Sequence, residues 1–173
     1  MIAVEHHLPI VETLVLRDEE DTAALAARLA RQPALREACI ELRGELGAGK
    51  TTFVRHLLRA LGVAGRIKSP TYAVVEPHAL PGLDIWHFDF YRFGDPREWE
   101  DAGFRDLYAS PGLKLAEWPE RAAGLLPVAD LDLALVLEDE DRRGLTLTAR
   151  TARGAAILLG LRGADGSRAG GAS

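Results

Sequence analysis

Residues 44–51 read Gly-Glu-Leu-Gly-Ala-Gly-Lys-Thr and match the pattern G-x-x-x-x-G-K-[ST] at each fixed position. Glycines in such a loop allow backbone angles closed to other residues, so the backbone amides can approach an anion closely. Those amides and the start of a following helix form a nest for phosphate. Lys50 would reach the β- and γ-phosphates, and the Thr51 hydroxyl would bind Mg²⁺. The sequence therefore predicts a phosphate-binding loop.

Two carboxylates follow strand-like runs further along the chain. Asp89 comes after residues 83–88, and Glu117 comes after residues 113–116. In an open α/β sheet, side chains at the carboxyl ends of strands lie where ligands bind. Each acid is a candidate for the second magnesium-organising carboxylate that an ATPase needs. The alternative is a charge at a strand end that faces water.

The loop after the first P-loop helix holds Lys68-Ser-Pro-Thr-Tyr72. P-loop nucleotide hydrolases keep a switch segment at this place, so the hydroxyls of Ser69 and Thr71 could reach the γ-phosphate or its water. Ser-Pro-Thr is also a common turn. Both interpretations stay open at this point.

Apolar periodicity and turn residues predict the elements that position these groups. We expect strands over 12–16, 38–43, 72–76, 83–90, 113–117, 131–138 and 144–150. We expect a helix that follows Asp18 as its N-cap and runs to about residue 31, helices over 50–61 and 152–161, one or two short helices over 96–108, and a helical turn over 119–124. Pro77, Pro81 and Gly82 are expected between the strands of the first hairpin. The order predicts an α/β P-loop sandwich, with a mostly parallel central sheet, antiparallel hairpin additions and helices on both faces.

Length and composition indicate one globular domain. The chain has 173 residues and a net charge of −5, so we expect a single P-loop domain over 1–162 and a disordered Gly- and Ala-rich tail over 163–173. The start resembles no secretory signal, no run is long enough to span a membrane, and Cys39 is the only cysteine. A cytoplasmic location without membrane contact is the expectation.

Charge is distributed unevenly along the chain. Residues 51–75 carry four cations and no acid, whereas residues 76–120 carry ten acids and four cations. This pattern suits an anionic ligand held beside metal-binding carboxylates, and it equally suits two solvated surfaces. The negative total is unlike the basic balance of DNA-binding proteins, so we expect no DNA contact.

Missing residue types narrow the class of P-loop protein. The chain contains no asparagine, which excludes an N-K-x-D guanine-specificity motif. Its only glutamine, Gln32, precedes the loop, so no downstream glutamine can orient water. No L-S-G-G-Q-type signature is present either. A small ATPase or a small-molecule kinase remains.

Five segments in order resemble the TsaE (YjeE) family of bacterial P-loop ATPases. They are residues 44–53, 68–72 (Lys-Ser-Pro-Thr-Tyr), 75–77 (Val-Glu-Pro), 87–92 (His-Phe-Asp-Phe-Tyr-Arg) and 117–120 (Glu-Trp-Pro-Glu). The resemblance covers about residues 12–160. One small difference is Glu45, where the family commonly has aspartate, and it conserves the charge.

The resemblance implies a function in forming threonylcarbamoyl-adenosine beside the anticodon, at position 37, of tRNAs that read codons starting with A. The family binds ATP and Mg²⁺, and it acts with a complex of the TsaB and TsaD proteins, which transfers the threonylcarbamoyl group. ATP hydrolysis in that complex is thought to reset it between turnovers. Contact with tRNA would be indirect.

The resemblance also implies roles for single residues. It assigns Thr51 and Glu117 to magnesium, Asp89 to the catalytic or switch position, and Trp118 to a position beside the nucleotide. Lys50, which the motif places at the phosphates, is the second candidate catalytic residue. The phosphates would be bound by Gly47, Ala48, Gly49, Lys50, Thr51 and Thr52. Residues 18–22 would lie near the base, and Arg142 or Arg143 would approach the nucleotide.

Two alternatives to the partner-dependent ATPase remain at this stage. One is a free-standing small-molecule kinase, which usually brings a lid with clustered arginines. The arginines between the P-loop and residue 120 are scattered instead. The other is a nucleotide-binding module without useful turnover.

Overall fold

The computed structural model describes residues 8–70, 74–101 and 103–166. These form one sheet of seven strands in the order β1-β7-β6-β2-β5-β4-β3. The strands are β1 (Ile10–Leu16), β2 (Cys39–Arg43), β3 (Val75–Leu80), β4 (Leu83–Asp89), β5 (Leu113–Glu117), β6 (Leu131–Leu137) and β7 (Arg143–Ala149). The helices are α1 (Glu19–Ala30), α2 (Lys50–Leu61), α3 (Pro96–Asp101), α4 (Phe104–Ala109) and α5 (Ala152–Gly166).

The centre of the sheet is parallel. Strands β6, β2, β5 and β4 run side by side in one direction. Strand β3 is added to β4 as an antiparallel hairpin, and β7 pairs antiparallel with both β6 and β1. The parallel centre with antiparallel additions is thus as expected, and it brings the carboxyl ends of β2, β4 and β5 to one edge.

Alternation along the strands divides the core between two faces of the sheet. Leu113 and Leu115 of β5 pack in the larger cluster, together with helices α1, α2 and α5. Ala116 of the same strand packs in the second cluster, which holds aromatic side chains of β4, α3 and α4. Successive strand residues point to opposite faces, so helices cover both sides of the sheet's centre.

The first hairpin differs from its expected form. Strand β3 spans Val75–Leu80, so Pro77 lies within the strand and not in the connection. The physical reason is that β3 is an edge strand, where a proline costs no ladder hydrogen bond when its nitrogen faces away from the neighbour. Residues 72 and 73, the start of the predicted strand, lie outside the described residues.

Local signals set the helix starts. The Asp18 carboxylate accepts a hydrogen bond from the Asp21 amide and caps α1. Gly103, at a φ of 70°, separates α3 from α4, which explains why the predicted segment 96–108 is two helices.

Helix α5 continues to Gly166, four residues into the predicted tail, and residues 167–173 lie outside the described residues. Within the described ranges, no helix is long and apolar enough to cross a membrane.

Candidate functional site

The glycine-rich loop lies between the end of β2 and the start of α2. Three of its glycines, Gly44, Gly47 and Gly49, have positive φ angles of 149°, 82° and 106°. A Cβ on Gly44 would lie 2.5 Å from the Leu135 carbonyl oxygen of β6. The sequence needs glycine at position 44 for close packing as well as for conformation, so the loop is fixed against the sheet before any ligand binds.

Lys50 is the first residue of α2, and only 5% of it is exposed. Its ammonium group donates hydrogen bonds to the carbonyl oxygens of Gly44 and Glu45. It also lies 4.1 Å from the centre of the Trp118 ring, within range of a cation–π interaction. Burial lowers the pKa of Lys50, while Glu117 raises it. The lysine is thus held over the loop by acceptors that a phosphate could replace.

Glu117 ends β5 and joins two other elements of the site. The Thr51 hydroxyl of α2 donates a hydrogen bond of 2.7 Å to Oε1 of Glu117. Nε2 of His87, on β4, lies 2.5 Å from Oε2 of the same carboxylate. The Glu117 side chain is 2% exposed and that of His87 is 1% exposed. A chain of hydrogen bonds that is almost inaccessible to solvent therefore connects α2, β5 and β4.

Asp89 is the residue opposite Glu117 in the pairing of β4 with β5. Its Oδ1 accepts a hydrogen bond of 2.9 Å from the Tyr91 amide. Burial raises the pKa of Asp89, and the nearby Glu117 carboxylate raises it further, while the Tyr91 hydrogen bond lowers it. Two acids that the sequence separates by 28 positions thus lie side by side at one sheet edge.

Trp118 turns the chain immediately after Glu117. Its φ of 55° is unusual for a bulky residue, and a short 3₁₀ turn over Pro119–Ala122 follows. Its ring lies 5.0 Å from the ring of Tyr91, and it covers the Lys50 ammonium. Trp118 therefore forms one wall of the site.

These groups line one cleft of about 370 Å³, and a second cleft of about 160 Å³ adjoins it. The larger cleft is lined by Gly47, Gly49, Lys50, Thr51, Thr52, Ser69, Asp89, Glu117 and Trp118, among others. The smaller cleft is lined by Asp18, Glu19, Thr22, Ala48, Gly49 and Thr52, among others. Nine residues were assigned to catalysis, magnesium, the phosphates or the place beside the nucleotide. Eight of them line the larger cleft, and the ninth, Ala48, lines the smaller one.

Arg143 lines both clefts and joins them. Its Nε donates a hydrogen bond of 3.0 Å to the Ala48 carbonyl oxygen. Arg142, the other arginine considered from the sequence, is exposed. The β6–β7 hairpin thus brings one of the two arginines to the glycine-rich loop, because Arg143 is the first residue of β7.

Some site residues were not apparent from the sequence. Leu46, Tyr91 and Arg92 line the larger cleft. His87 is hydrogen-bonded to Glu117, which lies beside Asp89. The spacing His87-x-Asp89 is the available signal, since alternate strand residues share a face. Ser69 lies at the cleft, and Thr71 lies outside the described residues.

The donor atoms suit a hard cation. The Thr51 hydroxyl and the Glu117 carboxylate present oxygen ligands within 2.7 Å of each other, and the Asp89 carboxylate is on the adjacent strand. Mg²⁺ takes oxygen ligands and is usually bound by one or two carboxylates together with phosphate. Thr51 and Glu117 therefore fit a magnesium ion.

The structure is that of a mixed α/β protein with a glycine-rich loop and two carboxylates at one edge of its seven-stranded sheet. Residues 16–145 match the family model "Threonylcarbamoyl adenosine biosynthesis protein TsaE". The chain therefore belongs to the TsaE family.

Curated relatives agree with this assignment. The tRNA threonylcarbamoyladenosine biosynthesis protein TsaE of Haemophilus influenzae is 43% identical over 119 residues, which cover 69% of this chain and 75% of the relative. The protein of that name from Bacillus subtilis is 33% identical over 75% of this chain and 80% of the relative. The crystal structure of Bacillus subtilis YdiB superposes with a TM-score of 0.73 at 26% identity, covering 92% of this chain and 99% of that one.

Proposed function

We propose that this protein is an ATPase that binds ATP with Mg²⁺ and acts with the TsaB and TsaD proteins in forming threonylcarbamoyl-adenosine on tRNA. The observation that supports this most is the arrangement of the glycine-rich loop, Thr51 and Glu117 around one cleft. It agrees with membership in the TsaE family. The fold would then be a P-loop nucleotide hydrolase sandwich.

In this proposal the loop amides of residues 47–52 and the start of α2 bind the phosphates. Lys50 leaves the carbonyl oxygens of its own loop and contacts the β- and γ-phosphates. Thr51 and Glu117 bind the magnesium ion, which would neutralise the charge on the phosphate oxygens. The smaller cleft beside Asp18 and Thr22 takes the base and ribose.

Asp89 is proposed to act on the attacking water or on the switch segment in the loop after α2. Its carboxylate lies at the cleft, one strand from Glu117, and one of its oxygens accepts the Tyr91 hydrogen bond that orients it. Hydrolysis in the complex with TsaB and TsaD would reset that complex after each transfer.

The proposal is tested by reconstituting the modification of tRNA with purified TsaB, TsaD and this protein. We expect the wild-type chain to raise the yield to several modified tRNAs per TsaB–TsaD complex. With Lys50→Ala, the yield should stay at the level found without this protein. Arg55→Ala is the matched control, since it removes an exposed cation of the same helix outside the cleft. A wild-type chain that leaves tRNA modification unchanged, or that phosphorylates a small molecule without partners, would contradict the proposal.

A further inference from the structure

His87 is nearly inaccessible to solvent, and its ring is placed against one oxygen of Glu117. Its Nε2 lies 2.5 Å from Oε2, with both side chains at most 2% exposed. Because a carboxylate oxygen accepts, Nε2 carries the hydrogen and donates. Nδ1 is also buried, and among the described residues it has no hydrogen-bond partner. The contact with Glu117 is thus the one directional polar interaction found for this ring in the described part of the chain.

The strand register explains how the ring reaches the acid. His87 and Asp89 are two residues apart on β4 and point to the same face, while Glu117 is opposite Asp89 on β5. His87 therefore lies one step below the two carboxylates, on the interior side of the site. Phe88, the residue between them, points to the other face and packs in the aromatic cluster. That packing fixes the strand that carries the ring.

Both oxygens of Glu117 are held, one by His87 and the other by the Thr51 hydroxyl. A buried carboxylate needs such donors because burial without them is costly. Two donors from different elements also fix the plane of the carboxylate. If Thr51 and Glu117 held Mg²⁺ together, the His87 hydrogen bond would be the contact still available to orient the carboxylate.

We propose that His87 is a positioning residue that orients the Glu117 carboxylate for Mg²⁺ and so sets how strongly Mg²⁺ increases the affinity for ATP. This inference rests on the proposed magnesium role of Glu117. His87 does not contact the nucleotide in this proposal, because it lies behind the carboxylate and not in the cleft lining. Partners that orient a metal ligand typically change metal affinity by about 10- to 100-fold when they are removed.

The experiment measures the ATP dissociation constant of the full chain in excess Mg²⁺ and in EDTA, and takes the ratio as the gain from Mg²⁺. His87→Gln places an amide donor near the position of Nε2, whereas His87→Asn places it near Nδ1, too short to reach Glu117. The two variants are similar in size and polarity. We expect the gain to fall about tenfold in His87→Asn and to stay within about twofold in His87→Gln, with the EDTA constant unchanged in both.

His87→Leu is measured alongside as a second variant without a donor, and it should resemble His87→Asn, so a folding failure of either one leaves the comparison intact. If the gain from Mg²⁺ is the same in His87→Asn and His87→Gln, whether or not it is reduced, the proposal is overturned. A role in packing alone would affect the two variants alike. A loss of affinity in EDTA would overturn it as well. A wild-type chain whose ATP affinity does not depend on Mg²⁺ would instead refute the proposed function, and this inference with it.

Discussion

The ammonium group of Lys50 lies among acceptors from its own loop, the carbonyl oxygens of Gly44 and Glu45, and beneath the ring of Trp118. A phosphate that binds in the loop must replace these contacts. The replacement is favoured because the negative charge of a phosphate attracts the ammonium group more strongly than a neutral carbonyl oxygen does. The phosphate-binding loop is therefore preformed, and the Lys50 ammonium group is bound by carbonyl oxygens of that same loop.

Lys50→Ala should weaken ATP binding by about 10- to 100-fold, which corresponds to the loss of one strong charge-assisted contact. The fold should survive, because the ammonium group contacts loop carbonyls and not the apolar core. Equilibrium binding of ATP measures the effect, and circular dichroism checks the fold. A wild-type dissociation constant in the variant would contradict the role of Lys50.

Glu117→Ala and Asp89→Ala should fail in different ways. Glu117 lies against the Thr51 hydroxyl, so its loss should remove most of the magnesium dependence of ATP binding. Asp89 lies at the cleft on the strand next to Glu117 but does not contact Thr51 or the loop amides in this proposal, so its loss should leave ATP binding nearly intact and abolish hydrolysis in the presence of partners. Binding with and without Mg²⁺, followed by hydrolysis assays, separates the two. Equal losses of binding in both variants would show that the roles are not divided this way.

The glycine-rich loop packs directly against strand β6 of the sheet at Gly44. A Cβ at this position would overlap the backbone oxygen of Leu135, which has little freedom to move within β6. Gly62, which ends α2 at a φ of 112°, has open space around the position of a Cβ. The two glycines share a positive φ but differ in their surroundings.

Gly44→Ala should therefore lower the free energy of unfolding by at least about 1 kcal/mol more than Gly62→Ala does, since an inserted methyl group also overpacks the site. Chemical denaturation of both variants measures the difference. The same loss in both would mean that backbone strain alone, and not the contact with β6, requires glycine at position 44.

A pair of carboxylates on the sheet predicts a pH dependence of stability. Burial and the neighbouring Asp132 carboxylate raise the pKa of Glu41 to about 7, although Arg43 opposes the shift. In the unfolded chain this pKa is near the ordinary value of 4.5. The folded protein thus holds a proton that the unfolded chain releases, so this stabilisation is complete below the unfolded pKa and is lost as the pH rises through about 7.

We expect the thermal midpoint to decline between about pH 5 and about pH 8, and to decline less in Glu41→Gln. Scanning calorimetry over this range makes the comparison. Parallel curves for the two proteins would rule out Glu41 as the source of the dependence. Glu41 is suitable for this test because it lies outside both clefts of the site.

Most elements could be predicted because their signals are local. Asp18 caps α1, glycines frame α2, and the run 113–117 holds three apolar residues. Pro77 was misplaced because its tolerance depends on β3 being an edge strand, which only the sheet order reveals. The Glu117–His87 contact escaped prediction for a similar reason. It depends on the parallel register of β4 and β5, and no sequence pattern fixes a register between strands 30 residues apart.

The whole molecule presents its candidate site at one open edge of the sheet. Ser69 brings the loop after α2 to the cleft, and this loop is bounded by Gly62, Gly65 and Pro70. Fast phosphoryl-transfer sites supply a group that positions water and often an arginine worth about 10³- to 10⁵-fold in rate. The chain has no glutamine after the glycine-rich loop that could position water. We therefore expect a bound partner to complete the site, which couples ATP state and assembly in both directions.

Steady-state ATP hydrolysis by the purified protein, alone and with the TsaB–TsaD complex, measures whether a partner completes the site. We expect tight ATP binding with slow hydrolysis by the protein alone, and a rise in rate when TsaB–TsaD is added. The rise should be absent with Asp89→Ala and retained with Arg55→Ala. Substantial turnover by the protein alone that does not change when the partners are added would contradict a site completed by its partner and indicate an autonomous enzyme.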